Sequence, residues 1–253
     1  MPDNQAITPD KHKTISTKYH TIMKHAIVTG GTSGIGLAVV KMLAGKGYHV
    51  FATFSSRDME EKIENVESCR ADQSDKESMN QFIAYIRQRT DSVDCIVLNA
   101  GITLRKGLAD FTDEEWEKVM QVNVNAPTFL LRDLYPIIPH GARIIFIGSE
   151  MAVHPHGTSL AYGVTKSAVH ALSVNLVKFF EGTGTTVNTI APGFVETPWQ
   201  SGKPQAIRES ICSKTAIHRF ATVEEIADAV RFCIDNAFVN GSVIEVNGGY
   251  CYK

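Results

Sequence analysis

Ser149, Tyr162 and Lys166 are the side chains whose types and spacing could do chemistry together in this 253-residue chain. Tyr162 and Lys166 lie four residues apart, so on a helix they share one face. An ammonium beside a phenol favours the phenolate, which lets a tyrosine exchange a proton well below its ordinary pKa of about 10. Ser149 offers a hydroxyl to the same substrate oxygen. The set is a general acid/base, a charge that tunes it and a polar anchor. Taken singly, each has a plainer reading. Ser149 would cap a strand, Tyr162 would be a half-buried aromatic and Lys166 a solvated helix residue. The surrounding segments give them joint meaning.

Upstream, Lys24-His25-Ala26-Ile27-Val28-Thr29 is a short apolar run with a β-branched centre, which predicts a buried parallel strand. Gly30-Gly31-Thr32-Ser33-Gly34-Ile35-Gly36 follows, and Leu37 to Leu43 reads as a helix ending near Gly45 and Gly47. Glycine suits such a junction, because a Cβ would block the tight turn and hold a phosphate away from the backbone. The free N–H groups and positive dipole end of the helix then face that phosphate. The spacing is Gly-x-x-x-Gly-x-Gly rather than Gly-x-Gly-x-x-Gly. A strand-loop-helix of this kind predicts nucleotide binding.

From about Lys24 to its C-terminus the chain resembles the short-chain dehydrogenase/reductase superfamily, and its 3-oxoacyl-carrier-protein-reductase-like branch in particular. Thr29 to Gly36 resembles the family's cofactor loop, with Gly30, Thr32, Ser33, Gly34, Ile35 and Gly36 facing the cofactor. Asp72, followed by Gln73, resembles the acid that meets the adenine. Asn99-Ala100-Gly101 resembles the motif beside the adenosine ribose, and Asn123 the family's helix-borne catalytic asparagine. Pro192-Gly193, with Val195 and Thr197, resembles the turn that holds the nicotinamide carboxamide. Asn247-Gly248-Gly249-Tyr250 completes the set.

The resemblance implies an α/β fold: one Rossmann domain with a doubly wound, seven-stranded parallel sheet flanked by helices. It implies an oxidoreductase that interconverts a carbonyl and a secondary alcohol, with 3-oxoacyl thioesters among the candidate substrates. Tyr162 would protonate the carbonyl oxygen and Ser149 would orient it. Lys166 would hold the nicotinamide ribose and tune Tyr162, while Asn123 would support a water leading from Lys166 to solvent. It also implies self-association, as a tetramer or dimer, through helices at 113–134 and 161–180 and the C-terminal strand.

Cofactor choice rests on the end of the second strand. An acid there bonds the ribose 2′-hydroxyl of NAD and repels a 2′-phosphate. The chain instead has Phe54, then Ser55, Ser56 and Arg57, whose hydroxyls and guanidinium suit a phosphate. NADP(H) is therefore favoured, with NAD(H) open. As a plain surface turn, Arg57 would pair with Asp58 or Glu61 instead.

The remainder of the sequence bounds these expectations. Apolar runs recur at 26–29, 48–54, 66–69, 93–98, 143–148, 186–190 and 242–246. Helical stretches at 34–44, 76–89, 113–134, 161–180 and 223–236 alternate with them, as right-handed crossovers require. Pro127 is expected to kink the 113–134 helix. Residues 1–22 are polar and read as a disordered leader before a catalytic domain over 23–253. A formal net charge of -2 gives no general pull toward nucleic acid or an anionic membrane. No stretch approaches the roughly 20 apolar residues of a membrane span. The five cysteines show no metal spacing or disulfide framework, which points to a reducing, cytoplasmic setting.

The segment from Trp199 to Thr215 is expected to form a substrate lid. It offers Trp199, Ile207, Ile211 and Cys212 as apolar contacts and Lys203 and Arg208 as charges, either for an acidic substrate or on a solvated face. Glu150 follows Ser149 where the resemblance implies a small residue. It either faces the substrate, favouring polyols or amines, or caps the loop. His154-Pro155-His156 reads as loop rather than metal site. An idle, nucleotide-sensing relative and a sugar-nucleotide epimerase stand as alternatives. The complete Ser-Tyr-Lys set counts against the first, and the short region after Pro192 against the second.

Overall fold

Short runs rich in β-branched and aromatic residues build the centre of the molecule, and the inner ones are buried on both faces as parallel strands require. A computed structural model describes residues 23–154, 157 and 159–250 of the chain. The leader expected at 1–22 lies outside the described residues. The strands are β1 (Lys24–Val28), β2 (Tyr48–Phe54), β3 (Val66–Arg70), β4 (Cys95–Leu98), β5 (Arg143–Ile147), β6 (Thr186–Pro192) and β7 (Val243–Val246). They form one sheet in the order β3-β2-β1-β4-β5-β6-β7. Every pairing is parallel.

The helices are α1 (Gly34–Gly45), α2 (Lys76–Arg89), α3 (Asp113–Met120), α4 (Ala126–Leu134), α5 (Leu160–Leu176), α6 (Gln205–Lys214) and α7 (Val223–Asp235). The chain winds outward from β1 to β3, then returns to lay β4 on the other side of β1. That reversal is the switch point where open α/β sheets bind ligands, beyond the carboxyl ends of the strands.

Strand alternation divides the core. Ile145 and Ile147 of β5 join Val28 and Val50 beneath α1 (Val39, Val40, Leu43) and α7 (Ile226, Val230). Ile144 and Phe146 turn the other way, toward α2 (Phe82, Ile86), α4 (Leu130, Leu134) and α5 (Val169). Each fully buried side chain of this size contributes roughly 1.5–3 kcal/mol. The active-site loops therefore stand on a rigid base.

The single helix expected at 113–134 is divided. A π-helical turn, Gln121–Asn125, separates α3 from α4. Pro127 explains the break: it has no N–H to give to the carbonyl of Asn123, and it sits in the first turn of α4, where that loss is harmless. The Thr128 hydroxyl donates back to the Val124 carbonyl at 2.6 Å. Asn123 thus lies in an interruption rather than in regular helix.

Candidate active site

β1 delivers Thr29 to the carboxyl end of the sheet. Its buried hydroxyl accepts from the N–H groups of Asn99 and Ala100 at 2.9 and 3.0 Å. The Asn99 amide donates to the carbonyls of Thr29 and Gly30 at 2.9 and 3.1 Å. Two strand ends are thereby locked side by side. Gly30 and Gly34 have φ of 62° and 53°, where a side chain is strained. A Cβ on Gly36 would lie 2.1 Å from the Gly30 carbonyl oxygen, so the loop closes only over glycine.

The start of α1 is left open. Ser33 at its N-cap makes no side-chain cap bond, and the first turn carries no acid. By contrast, Asp75, Thr112 and Thr222 cap α2, α3 and α7. Free N–H groups and an uncompensated dipole end make an anion site. Thr32 braces the loop, donating to the Arg57 carbonyl at 3.0 Å, while Ile35 packs into the core.

At the end of β2, Phe54 is half-buried and Ser55, Ser56 and Arg57 are exposed. Arg57 pairs with Glu60, not with Asp58 or Glu61. Phe54 stands opposite Arg70, whose Nε lies 3.4 Å from the Ser55 carbonyl, so β3 brings a second guanidinium here. Asp72 accepts from the N–H and hydroxyl of Ser74 at 2.9 and 2.8 Å. Gln73 is buried, and its amide donates to the Val122 carbonyl at 2.6 Å. Its amide nitrogen is thus spent on the π-helical turn, while its Oε1 is buried without a partner among the described residues.

Asn123 is similarly engaged. Its Oδ1 accepts from the Ile102 N–H at 2.8 Å, and its Nδ2 donates to the Ile102 carbonyl and Thr165 hydroxyl at 2.9 and 3.0 Å. It clamps the loop after Asn99-Ala100-Gly101 onto α5. Gly101 leaves room there, since a Cβ on it would come within 3.2 Å of Asn123 Oδ1 and 3.6 Å of Lys166 Nζ.

Ser149 lies two residues past the end of β5, and α5 carries Tyr162 and Lys166. Lys166 Nζ sits 5.6 Å from the centre of the Tyr162 ring and donates to the Ile147 carbonyl at 2.6 Å. Burial pushes the Lys166 ammonium down to about 8. Burial likewise raises the Tyr162 phenol to about 12, with a Ser149 hydrogen bond pulling the other way and the Glu150 charge adding to the rise. This differs from the low phenol pKa expected of a neighbouring ammonium. Desolvation is the largest influence on the phenol and favours its protonated form.

His170, one turn beyond Lys166, fills the space beside Gly148, where a Cβ would lie 2.3 Å from its Nε2. That nitrogen accepts the Ser149 N–H at 3.4 Å. Burial, and then the Lys166 charge, lower His170 to about 4, so the ring is neutral.

Across the cleft, Gly193 donates to the Val246 carbonyl at 3.0 Å and packs so tightly that a Cβ would meet Asn247 Cα at 2.9 Å. Pro192 ends β6, and Val195 is buried and bridged to Ala221. Thr197 covers the glycine loop, with its methyl 3.4 Å from where a Gly34 Cβ would stand. Along the segment from Trp199 to Thr215, Ile211 is buried whereas Trp199 and Ile207 are exposed. Arg208 is not a free charge: it pairs with Glu196 and lies 4.5 Å over the Phe220 ring, strapping α6 down.

A family model described as enoyl-(acyl carrier protein) reductase matches residues 30–251. The 3-oxoacyl-[acyl-carrier-protein] reductase FabG of Escherichia coli (strain K12) is 31% identical over 236 residues, covering 89% of this chain and 96% of that protein. The chain belongs to the short-chain dehydrogenase/reductase superfamily. Among solved structures, a short-chain dehydrogenase family protein from Francisella tularensis matches with a TM-score of 0.84 and 27% identity, over 92% of this chain and 100% of that one. A blue fluorescent protein from a metagenomic library, solved in complex with NADPH, matches with a TM-score of 0.81 and 27% identity, over 90% and 98%.

This short-chain dehydrogenase/reductase is an NAD(P)-dependent oxidoreductase. Its open α1 terminus and the side-chain-free cradle of Gly30, Gly34 and Gly36 fit a dinucleotide phosphate. Arg70, Thr165 and His170 escaped sequence reading, because each matters through a partner at least 15 residues away. Among the described residues no group of three or more His, Cys, Asp or Glu could hold a metal, and no helix is long and apolar enough to cross a membrane. His156 lies outside the described residues.

Proposed function

We propose that this protein is an NADP(H)-dependent oxidoreductase that interconverts a carbonyl and a secondary alcohol through Ser149, Tyr162 and Lys166. The observation that carries it is the convergence of those three polar side chains on one buried spot at the carboxyl end of the sheet, beside an open glycine cradle. The bound nicotinamide supplies or accepts the hydride. Tyr162, protonated at rest, gives its proton to the carbonyl oxygen, and Ser149 orients that oxygen with a hydrogen bond. In the reverse direction the Lys166 charge favours the phenolate. Asn123 acts as a positioning residue through its side chain. Its carbonyl, to which Pro127 can give no N–H, is the acceptor we assign to a water leading from Lys166.

Three features support NADP(H) over NAD(H): the lack of an acid at Phe54, the exposed hydroxyls of Ser55 and Ser56, and the paired reach of Arg57 and Arg70. The Arg57–Glu60 pair is exposed, so a phosphate can recruit that guanidinium at little cost. Gly30, Thr32, Ser33, Gly34, Ile35 and Gly36 form the proposed pyrophosphate cradle, with Asp72 and Asn99-Ala100-Gly101 along the adenosine. Pro192, Gly193, Val195 and Thr197 close over the nicotinamide.

Self-association as a dimer or tetramer is supported by the exposed Phe129, Tyr135 and Phe179 near α4 and α5, and by Phe232 and Val243 of α7 and β7. The four described cysteines are free thiols, which suits the reducing cytoplasm.

The test is a side-by-side fluorescence titration with NADPH and NADH, followed by NADPH oxidation against ketones and 3-oxoacyl thioesters. Tighter NADPH binding with turnover is the expected result. Preference for NADH would overturn the cofactor assignment. Binding without turnover of any carbonyl would favour a nucleotide-sensing role.

A further inference from the structure

Glu150 follows Ser149 directly, and it is 3% exposed. The short helical turn it belongs to, Glu150–Ala152, is already held by other groups. Ser149 Oγ accepts the Met151 N–H at 3.2 Å, and the Ser149 carbonyl takes the Ala152 N–H at 3.1 Å. The main-chain carbonyl of Glu150 takes the N–H groups of Val153 and His154 at 3.0 and 2.9 Å. The side chain therefore has no capping work left to do, and its Oε2 is buried with no hydrogen-bond partner among the described residues. The charged groups that act with it are the Tyr162 phenol of α5, whose proton it helps to retain, and the Glu245 carboxylate of β7, which is of like sign. Neither compensates a buried carboxylate. An oxygen left unpaired in such a place, one residue from the catalytic hydroxyl, awaits a donor from outside the protein.

Resting on the oxidoreductase reading above, we infer that Glu150 reads the substrate: its carboxyl accepts a hydrogen bond from an O–H or N–H carried next to the reacting carbonyl. Preferred substrates are then hydroxy- or amino-substituted carbonyl compounds and the corresponding alcohols. A plain alkyl ketone or unsubstituted acyl chain leaves the oxygen unpaired and is rejected, because a site built around a substrate hydroxyl discriminates against the analogue lacking it. Burial, and secondly Glu245, push the Glu150 carboxyl up to about 7. Near neutral pH it can thus meet a hydroxyl in either protonation state and an ammonium when ionised.

The test compares 3-hydroxybutan-2-one, 3-aminobutan-2-one and butan-2-one as substrates with NADPH, in wild type, Glu150→Val and Glu150→Gln. Wild type should favour the two substituted ketones over butan-2-one by about tenfold or more in kcat/KM. Glu150→Val should erase that ratio by raising the rate on butan-2-one and lowering the others. Glu150→Gln should keep the preference for the hydroxyketone and lose that for the aminoketone, which separates the two donors. Equal rates in wild type, or a preference that survives Glu150→Val, would overturn the inference. If wild type binds NADPH yet reduces none of the three, carbonyl reduction by this site has failed on these ketones. The inference is then judged by titrating butane-2,3-diol and butan-2-ol into the NADP-bound protein. Tighter diol binding that is lost in Glu150→Val supports it, and equal binding overturns it.

Discussion

The glycine loop after β1 and the loop after β5 stand at the same carboxyl edge of the sheet, with β4 between them, yet are built in opposite ways. Between Thr29 and Gly36 the shape comes from the backbone: left-handed turns at Gly30 and Gly34, and a contact at Gly36 that admits no Cβ. Between Gly148 and Lys166 it comes from side chains reaching across the chain, with His170 under Gly148, Lys166 on the Ile147 carbonyl and Asn123 on Thr165. A backbone-built site needs particular residues at fixed spacing. A side-chain-built site needs only compatible neighbours, so it can vary, and this is where an unpartnered acid such as Glu150 is tolerated.

The largest expected effect strikes the side-chain-built half. Tyr162→Phe should lower turnover by about 10³-fold while NADPH affinity, read by fluorescence, changes little, because a positioned proton donor supplies about 10²–10⁴ in rate. Retained turnover would remove Tyr162 as the acid. In the backbone-built half, Gly36→Ala should do the reverse. Overpacking of this kind costs about 1–3 kcal/mol, and here it should appear as a loss of cofactor affinity of about tenfold or more, with a lower Tm. Unchanged affinity would mean the cradle opens freely.

A third effect depends on pH. The folded protein holds the Glu150 carboxyl at about 7 against an ordinary 4.5. Because the folded value is the higher, the associated stability is fully present below about pH 4.5 and is lost as pH rises through about 7. Between those values the stability of wild type should fall relative to Glu150→Gln by on the order of 3 kcal/mol at most, read as a falling Tm. Parallel Tm curves for the two proteins would show that Glu150 is not desolvated. The smallest effect belongs to Arg57→Ala. It should weaken NADPH binding by about tenfold or less and leave NADH binding unchanged, since a neighbouring guanidinium remains on Arg70.

Much of the fold was legible in advance. β2 and α2 have the bounds that periodicity gives them, Tyr48–Phe54 and Lys76–Arg89, and the sheet is the expected seven-stranded parallel one. The expected helix over 113–134 was not continuous. Periodicity sees through a π-helical turn, because the apolar face resumes in α4 once one residue has been bulged out. Arg208 looked available in the sequence and is strapped to Glu196, twelve residues earlier. Gln73 and Asn123 have amides whose partners, Val122, Ile102 and Thr165, no local pattern identifies.

The sequence by itself determined where the strands and helices alternate, where the chain must turn on glycine, and which residues match a known catalytic set. These features depend on local sterics and on side-chain periodicity, both of which act over a few residues. The tertiary structure decided what surrounds each of those groups. It buries Lys166 and half-buries Tyr162, which favours the neutral forms of both, leaves the α1 terminus open, and strands the Glu150 carboxyl beside Ser149. Desolvation and hydrogen-bond satisfaction depend on atoms brought together from distant parts of the chain, so only the folded molecule sets them.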